Sequence, residues 1–228
     1  MTSSVAYQPL SDHVYEHIRE LILSGALAAG DRIKEREISD ELQVSRVPVR
    51  EALPLLESRG YIQILPRRGA IVKALTAQDI DDLFDVRESL EALAARSAAR
   101  RVAESPENLA VAAALERMNE LLRNAREAMD ALDDTTLARA NLAFHAEIIS
   151  LAGNDLLARI FENILGRVEW LFRMTSDRDM PAQCAEHEGL YRAISAGQPD
   201  VAASLAFAHV ASGRADSTRK AASTHVVI

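Results

Sequence analysis

A single cysteine, Cys184, excludes an intrachain disulfide and fits a reducing compartment. Aromatic side chains make up only 4% of the 228 residues. The apolar content is mostly Ala and Leu, which favours helices over sheets. No apolar run approaches the ~18 residues of a membrane span. The opening MTSSVAYQPLSD has no charged start followed by an apolar block, so it does not read as a secretory leader and the expected location is the cytoplasm. No phosphate loop, HExxH or G-x-S-x-G motif is present, so no enzyme class declares itself.

Net charge is −8, which does not advertise a nucleic-acid binder. The average misleads. Residues 1–75 carry ten Lys and Arg against ten Asp and Glu, so all of the net negative charge falls in 76–228. Local potential, not the total, governs encounter with DNA.

Helical spacing of Val14, Ile18, Leu21 and Ile22 predicts a helix from Ser11 to Ser24, stopped by Gly25. A short helix follows over Glu35–Leu42, then a tight connection, Gln43-Val44-Ser45. A third helix starts there, with Ser45 as N-cap and Pro48 in its first turn, and ends at Gly60. Tyr61–Leu65 and Ala70–Lys73 read as β-like runs around the turn Pro66-Arg67-Arg68-Gly69. Three helices and a hairpin within 75 residues is a winged helix-turn-helix plan.

After Leu75 six helices are expected. Thr76 and Asp79 form a capping-box pattern. Ile80, Leu83, Phe84, Leu90 and Leu93 read as an apolar stripe. The domain boundary is placed there: 1–75 as a winged helix-turn-helix, 76–228 as an all-α bundle. The fold class is mainly α.

In a helix-turn-helix the second helix of the motif enters the major groove. Arg46 and Arg50 lie four apart and share a face of it. Arginine forks onto guanine, and each good bidentate pair gives ~1–3 kcal/mol of discrimination. Ser45 stands where a phosphate would meet the helix N-terminus. Arg36 is placed to touch the backbone, and Arg67 and Arg68 to reach a phosphate or the minor groove, with Gly69 permitting close approach. Taken singly, these arginines could equally pair with Glu35, Glu37 and Glu51. One feature runs against helix: Pro54 removes an N–H in mid-helix, so a bend beyond Arg50 is expected.

The stretch GALAAGDRIKEREISDELQVSRVPVREALPLLESRGYIQILPRRGAIV resembles the winged helix-turn-helix of GntR-family transcriptional regulators. The SRVPVREAL core and the PRRGAIV wing carry the likeness. It implies DNA contacts at Arg36, Ser45, Arg46, Arg50, Arg68 and Gly69. Pro54 departs from the family's usual helix former.

In the acidic half, His145 shares a helical face with Asn141, Ile148 and Ile149. His187 stands above Leu190, Tyr191 and Ile194, and His209 follows Ala202, Leu205 and Ala206. Each histidine comes from a different predicted helix, and a bundle can converge such residues on one point. Three imidazoles around a cation is a common transition-metal arrangement. Separate, hydrogen-bonded core histidines are the other reading. Arg87 falls on the apolar stripe and needs an anionic partner. Glu91, four residues on, is one choice and the carboxylate of a small effector is the other. Arg167 is a weaker candidate of the same kind.

FDVRESLEALAA, NLAFHAEIISLAGN and EHEGLYRAISAG, with the final helix carrying His209, resemble the all-helical FCD domain of the FadR-type branch. The resemblance implies a divalent metal, zinc or nickel, at Asn141, His145, His187 and His209, with asparagine where the family usually has a carboxylate. It also implies a homodimer repressing from a palindromic operator on double-stranded DNA and released by a small organic acid. Two other readings stay open: a metal-dependent enzyme fused to a DNA-binding module, and a DNA-binding dimer without a ligand.

Overall fold

The structure, a computed structural model, describes residues 9–174 and 179–223. Residues 1–8, which carry most of the segment read for a leader, lie outside them. Contacts divide the chain at Leu75–Thr76 into two units, with residues 163–167 grouped with the first.

In the first unit, α1 spans Leu10–Leu23 and buries Val14, Ile18, Ile22 and Leu23, close to the predicted helix. α2 runs Glu35–Glu41 and α3 runs Arg46–Ser58. The turn between them needs a left-handed residue, and Gln43 supplies it at φ +55°. α3 buries Pro48, Val49, Ala52, Leu53 and Leu56 and packs on α1. It passes through Pro54 without a break. Pro54 is exposed, so the helix carbonyl that loses its partner there faces the solvent side, where water can bond it. Beyond α3, Gly60 takes φ +82°, the conformation that ends a helix and that a Cβ disfavours.

The sheet has three strands where the sequence suggested two. β1 is Arg32–Ile33, β2 is Ile62–Leu65 and β3 is Gly69–Val72, in the order β1-β3-β2, both pairings antiparallel. β1 escaped notice because two residues show no period. β2 is an edge strand. The Ile64 N–H donates to Glu57 Oε1 at 2.7 Å, tying the wing to the end of α3.

The second unit contains α4 Ala77–Glu104, α5 Leu109–Asp130, α6 Asp134–Ala152, α7 Asp155–Met174, α8 Met180–Ser195 and α9 Pro199–Ser223. The Thr76 capping box is present in both directions, each bond 3.0 Å long. α4 packs against α6, α8 and α9. It meets α9 through small side chains: Ala94, Ala95, Ala98 and Ala99 are buried on α4, and Ala202, Ala203 and Ala206 on α9. Alanine contacts bring helix axes to the short end of the usual ~8–10 Å spacing. Arg214 of α9 reaches a row of acids on α4. It hydrogen-bonds Asp85 and lies 3.1 Å from Glu88 and 3.9 Å from Asp81. The expected stripe on α4 needs one correction. Leu93 is 44% exposed, while the inward positions near it are Glu91, Ala94 and Ala95. Among the described residues, no helix is long and apolar enough to cross a membrane.

Candidate functional site

Two groups of residues carry chemistry, one in each unit. In the first, Arg46, Arg50, Arg36, Arg67 and Arg68 are all exposed. Ser45 occupies the N-cap position, but its side chain makes no capping bond, and its hydroxyl has no hydrogen bond among the described residues. The first N–H groups of α3 therefore face outward beside it. Arg50 Nε donates to Glu35 Oε2 at 2.7 Å. That bond uses Nε and leaves the two Nη groups for other partners. Arg36 makes only a loose 3.6 Å pair with Asp40. Val47, between Arg46 and Arg50 in sequence, is 61% exposed. Sequence reading passed over it, although an exposed apolar side chain at the reading end suits a thymine methyl.

The wing tip is a tight turn in which the Arg68 N–H donates to the Leu65 carbonyl at 3.0 Å. Pro66 occupies the second position. Arg67 occupies the third at φ +61°, where glycine or asparagine is usual. Holding an ordinary residue there costs about 1–2 kcal/mol, and such strain collects at functional sites. Arg67→Gly should therefore raise the unfolding free energy by about 1 kcal/mol while weakening DNA binding. Denaturant melts and fluorescence anisotropy on one preparation check both. A variant that gains no stability, or that binds DNA as before, contradicts the assignment.

In the second unit, three imidazoles from α6, α8 and α9 meet. His145, His187 and His209 are each at most 3% exposed. Their Nε2 atoms form a triangle with sides of 3.2 Å (His187–His145), 3.0 Å (His187–His209) and 3.3 Å (His209–His145). The outer nitrogens fix the protons. His145 Nδ1 faces Glu91 Oε2 at 2.7 Å, and His209 Nδ1 faces Glu186 Oε2 at 2.7 Å. Carboxylates only accept, so both Nδ1 atoms carry hydrogen. The Nε2 atoms of His145 and His209 then present lone pairs to each other and to His187. One proton on His187 satisfies at most one of them, and protonating both others sets N–H against N–H. A cation removes the conflict. Nitrogens 2.0–2.1 Å from a shared zinc sit about 3.3 Å apart at the tetrahedral angle and about 2.9 Å apart at a right angle. The triangle lies within that range.

Asn141 stands one turn before His145. Its Nδ2 donates to Gln183 Oε1 at 3.1 Å, and its buried Oδ1 has no hydrogen-bond partner among the described residues. An orphaned amide oxygen on the imidazole face of α6 is a further donor suited to a metal. Gln183, one turn before His187, mirrors Asn141 on α8.

Glu91 links this centre to Arg87. Arg87 Nε donates to Glu91 Oε1 at 2.7 Å, and its guanidinium lies 5.2 Å from the Phe84 ring and 5.0 Å from that of Phe172. Burial pushes the Glu91 carboxyl up. The Arg87 charge and the hydrogen bonds from His145 and Arg87 outweigh it, holding Glu91 well below the usual carboxylate range. A cavity of about 10 Å³ adjoins Glu91, His145, Ile149, Leu190 and Ala206. That is room for one water, far less than an organic acid needs.

Residues 10–72 match bacterial regulatory proteins of the gntR family, and residues 82–212 match the FCD domain. The chain belongs to the GntR family of transcriptional regulators, in the branch with an FCD domain. It is 26% identical over 197 residues to the HTH-type transcriptional regulator YdhC of Bacillus subtilis, covering 86% of this chain and 85% of that one. It is 28% identical over 191 residues to the HTH-type transcriptional repressor RspR of Escherichia coli, covering 82% and 79%. The solved structure of E. coli McbR/YncC shares the fold, with a TM-score of 0.76 at 20% identity, covering 93% of this chain and 98% of that one. The chain is thus a regulator and not an enzyme.

In this GntR regulator the three predicted histidines come together, and Asn141 lies on the same helix face as the first of them. Arg87 takes Glu91, the nearer of its two expected partners. Arg167 lies in the 163–167 stretch that groups with the first unit, and its buried Nε has no hydrogen bond among the described residues. Glu186 and Gln183 were missed. Gln183 was findable, because it repeats the four-residue spacing of Asn141 and His145.

Proposed function

We propose that this chain is a cytoplasmic repressor that binds a palindromic operator as a homodimer and responds to a small carboxylate held at a divalent-metal centre. The convergence of three Nε2 atoms within 3.3 Å carries the metal part of the reading. Asn141, His145, His187 and His209 would hold zinc or nickel, with Glu91 and Glu186 fixing two of the imidazoles. Such second partners are worth roughly 10–100-fold in metal affinity. A bound cation supplies positive charge and open positions for an effector carboxylate. Neutral donors alone cancel none of that charge, which favours an anion as the remaining ligand. Arg87 adds to the field from behind Glu91, and Arg167 is the second arginine assigned to effector recognition. The cavity beside His145 is water-sized, so an effector seated in that cavity needs the bundle to open around it. Differential affinity for the open and closed arrangements is what would shift DNA occupancy.

On DNA, Arg46 and Arg50 read base edges. Ser45, Arg36, Arg67, Arg68 and the Gly69 backbone hold phosphates or the minor groove. Arg46→Ala should weaken binding to a selected operator by about 1–3 kcal/mol and relax base preference, whereas Arg36→Ala should weaken all sequences alike. Anisotropy titrations on a duplex selected from a random library and on its scramble check this. Equal losses for Arg46→Ala on both duplexes would remove its reading role.

A further inference from the structure

We infer, resting on the metal reading above, that Gln183 is a positioning residue that selects which end of the Asn141 amide meets the cation. Both side chains are buried, each 5% exposed. Asn141 lies one turn before His145 on α6, and Gln183 one turn before His187 on α8. The two amides therefore stand on the helix faces that carry two of the imidazoles.

Asparagine has a difficulty as a ligand that a carboxylate lacks. One end of its amide accepts and can coordinate, while the other donates and repels a cation. A half-turn about the last side-chain bond exchanges them. Without a cation the wrong end is the one drawn inward. His145 and His209 hold their hydrogens on Nδ1, against Glu91 and Glu186. Their Nε2 lone pairs are then acceptors for an amide N–H.

Gln183 opposes that turn. Its Oε1 accepts from Asn141 Nδ2 at 3.1 Å. Asn141 Oδ1 is left buried, with no hydrogen-bond partner among the described residues. A buried acceptor without a partner costs free energy, and a cation recovers it. The bond acts in both directions: with Oδ1 on a metal, only the N–H end remains for Gln183.

Cobalt(II) binding to the chelator-stripped full chain tests the inference, because the visible absorption of cobalt reports its donor set. Gln183→Met keeps the length and removes the acceptor. Its cobalt affinity, read by competition with a coloured chelator, should fall about tenfold or more. Its absorption should change as the amide oxygen leaves. Gln183→Glu, an acceptor when ionised, should keep the wild-type spectrum with no loss of affinity. In an Asn141→Asp background both ends of the ligand are oxygen. There Gln183→Met should leave the spectrum unchanged and the affinity within about threefold, the difference measuring the coupling of the two residues. A second measurement needs no variant. In the zinc-loaded wild-type chain, NMR should place the Asn141 side-chain NH2 protons beside Gln183, and finding them beside an imidazole overturns the inference whether or not Gln183→Met folds. Wild-type affinity in Gln183→Met, a loss with an unchanged spectrum, or an equal loss in the Asn141→Asp background also overturns it and leaves the metal reading standing. A wild-type chain that binds neither cobalt nor zinc overturns both.

Discussion

Glu91→Ala should cost about 3–5 kcal/mol of folding stability, the loss typical when one partner of a buried ion pair is removed. Arg87 is 1% exposed, and its guanidinium would keep only the faces of Phe84 and Phe172. The His145 Nδ1–H would lose its acceptor as well. Replacing Arg87 and Glu91 together by leucine should cost less than Glu91→Ala, because no buried charge is then left alone. Denaturant unfolding at constant slope separates the two cases, and an unchanged midpoint for Glu91→Ala would show that Arg87 does not depend on it. Acid should act in the same direction. Glu91 is held below the usual carboxylate range when folded, so its contribution is complete at neutral pH and fades as the pH falls towards that depressed value.

The second large effect concerns the imidazoles. Chelator-stripped protein should gain about 4 kcal/mol when zinc or nickel is present at a thousand times its Kd, raising the unfolding midpoint of a chain of this size by roughly 8–16 °C. His187→Ala should abolish that gain, since His187 Nε2 lies within 3.2 Å of both other Nε2 atoms. Asn141→Asp should enlarge it by adding a negative donor. Thermal melts with and without each ion check all three, and a midpoint indifferent to both ions would return the histidines to the role of core side chains.

Much of this was legible in the sequence because it depends on local rules. Thr76 and Asp79 declare a helix start, Gly60 a helix end, and the 3.6-residue period placed the three histidines on inward faces. What the period cannot show is which inward faces meet. Glu186 serves His209 on another helix, so nothing in its own neighbourhood points to that partner. β1 was hidden for a related reason: two residues become a strand only because β3 lies beside them. Leu93 was misread because composition shows that a residue is apolar, not whether its side of the helix is covered.

The alanine seam between α4 and α9 has a mechanical corollary. Smooth surfaces lack the interlocking knobs that oppose shear, so one rod can glide along the other with little steric resistance. Asp81, Asp85 and Glu88 stand like rungs on one flank of α4, with Arg214 bonded to both Asp85 and Glu88. A shift by one rung would exchange one carboxylate for the next and keep the guanidinium held throughout.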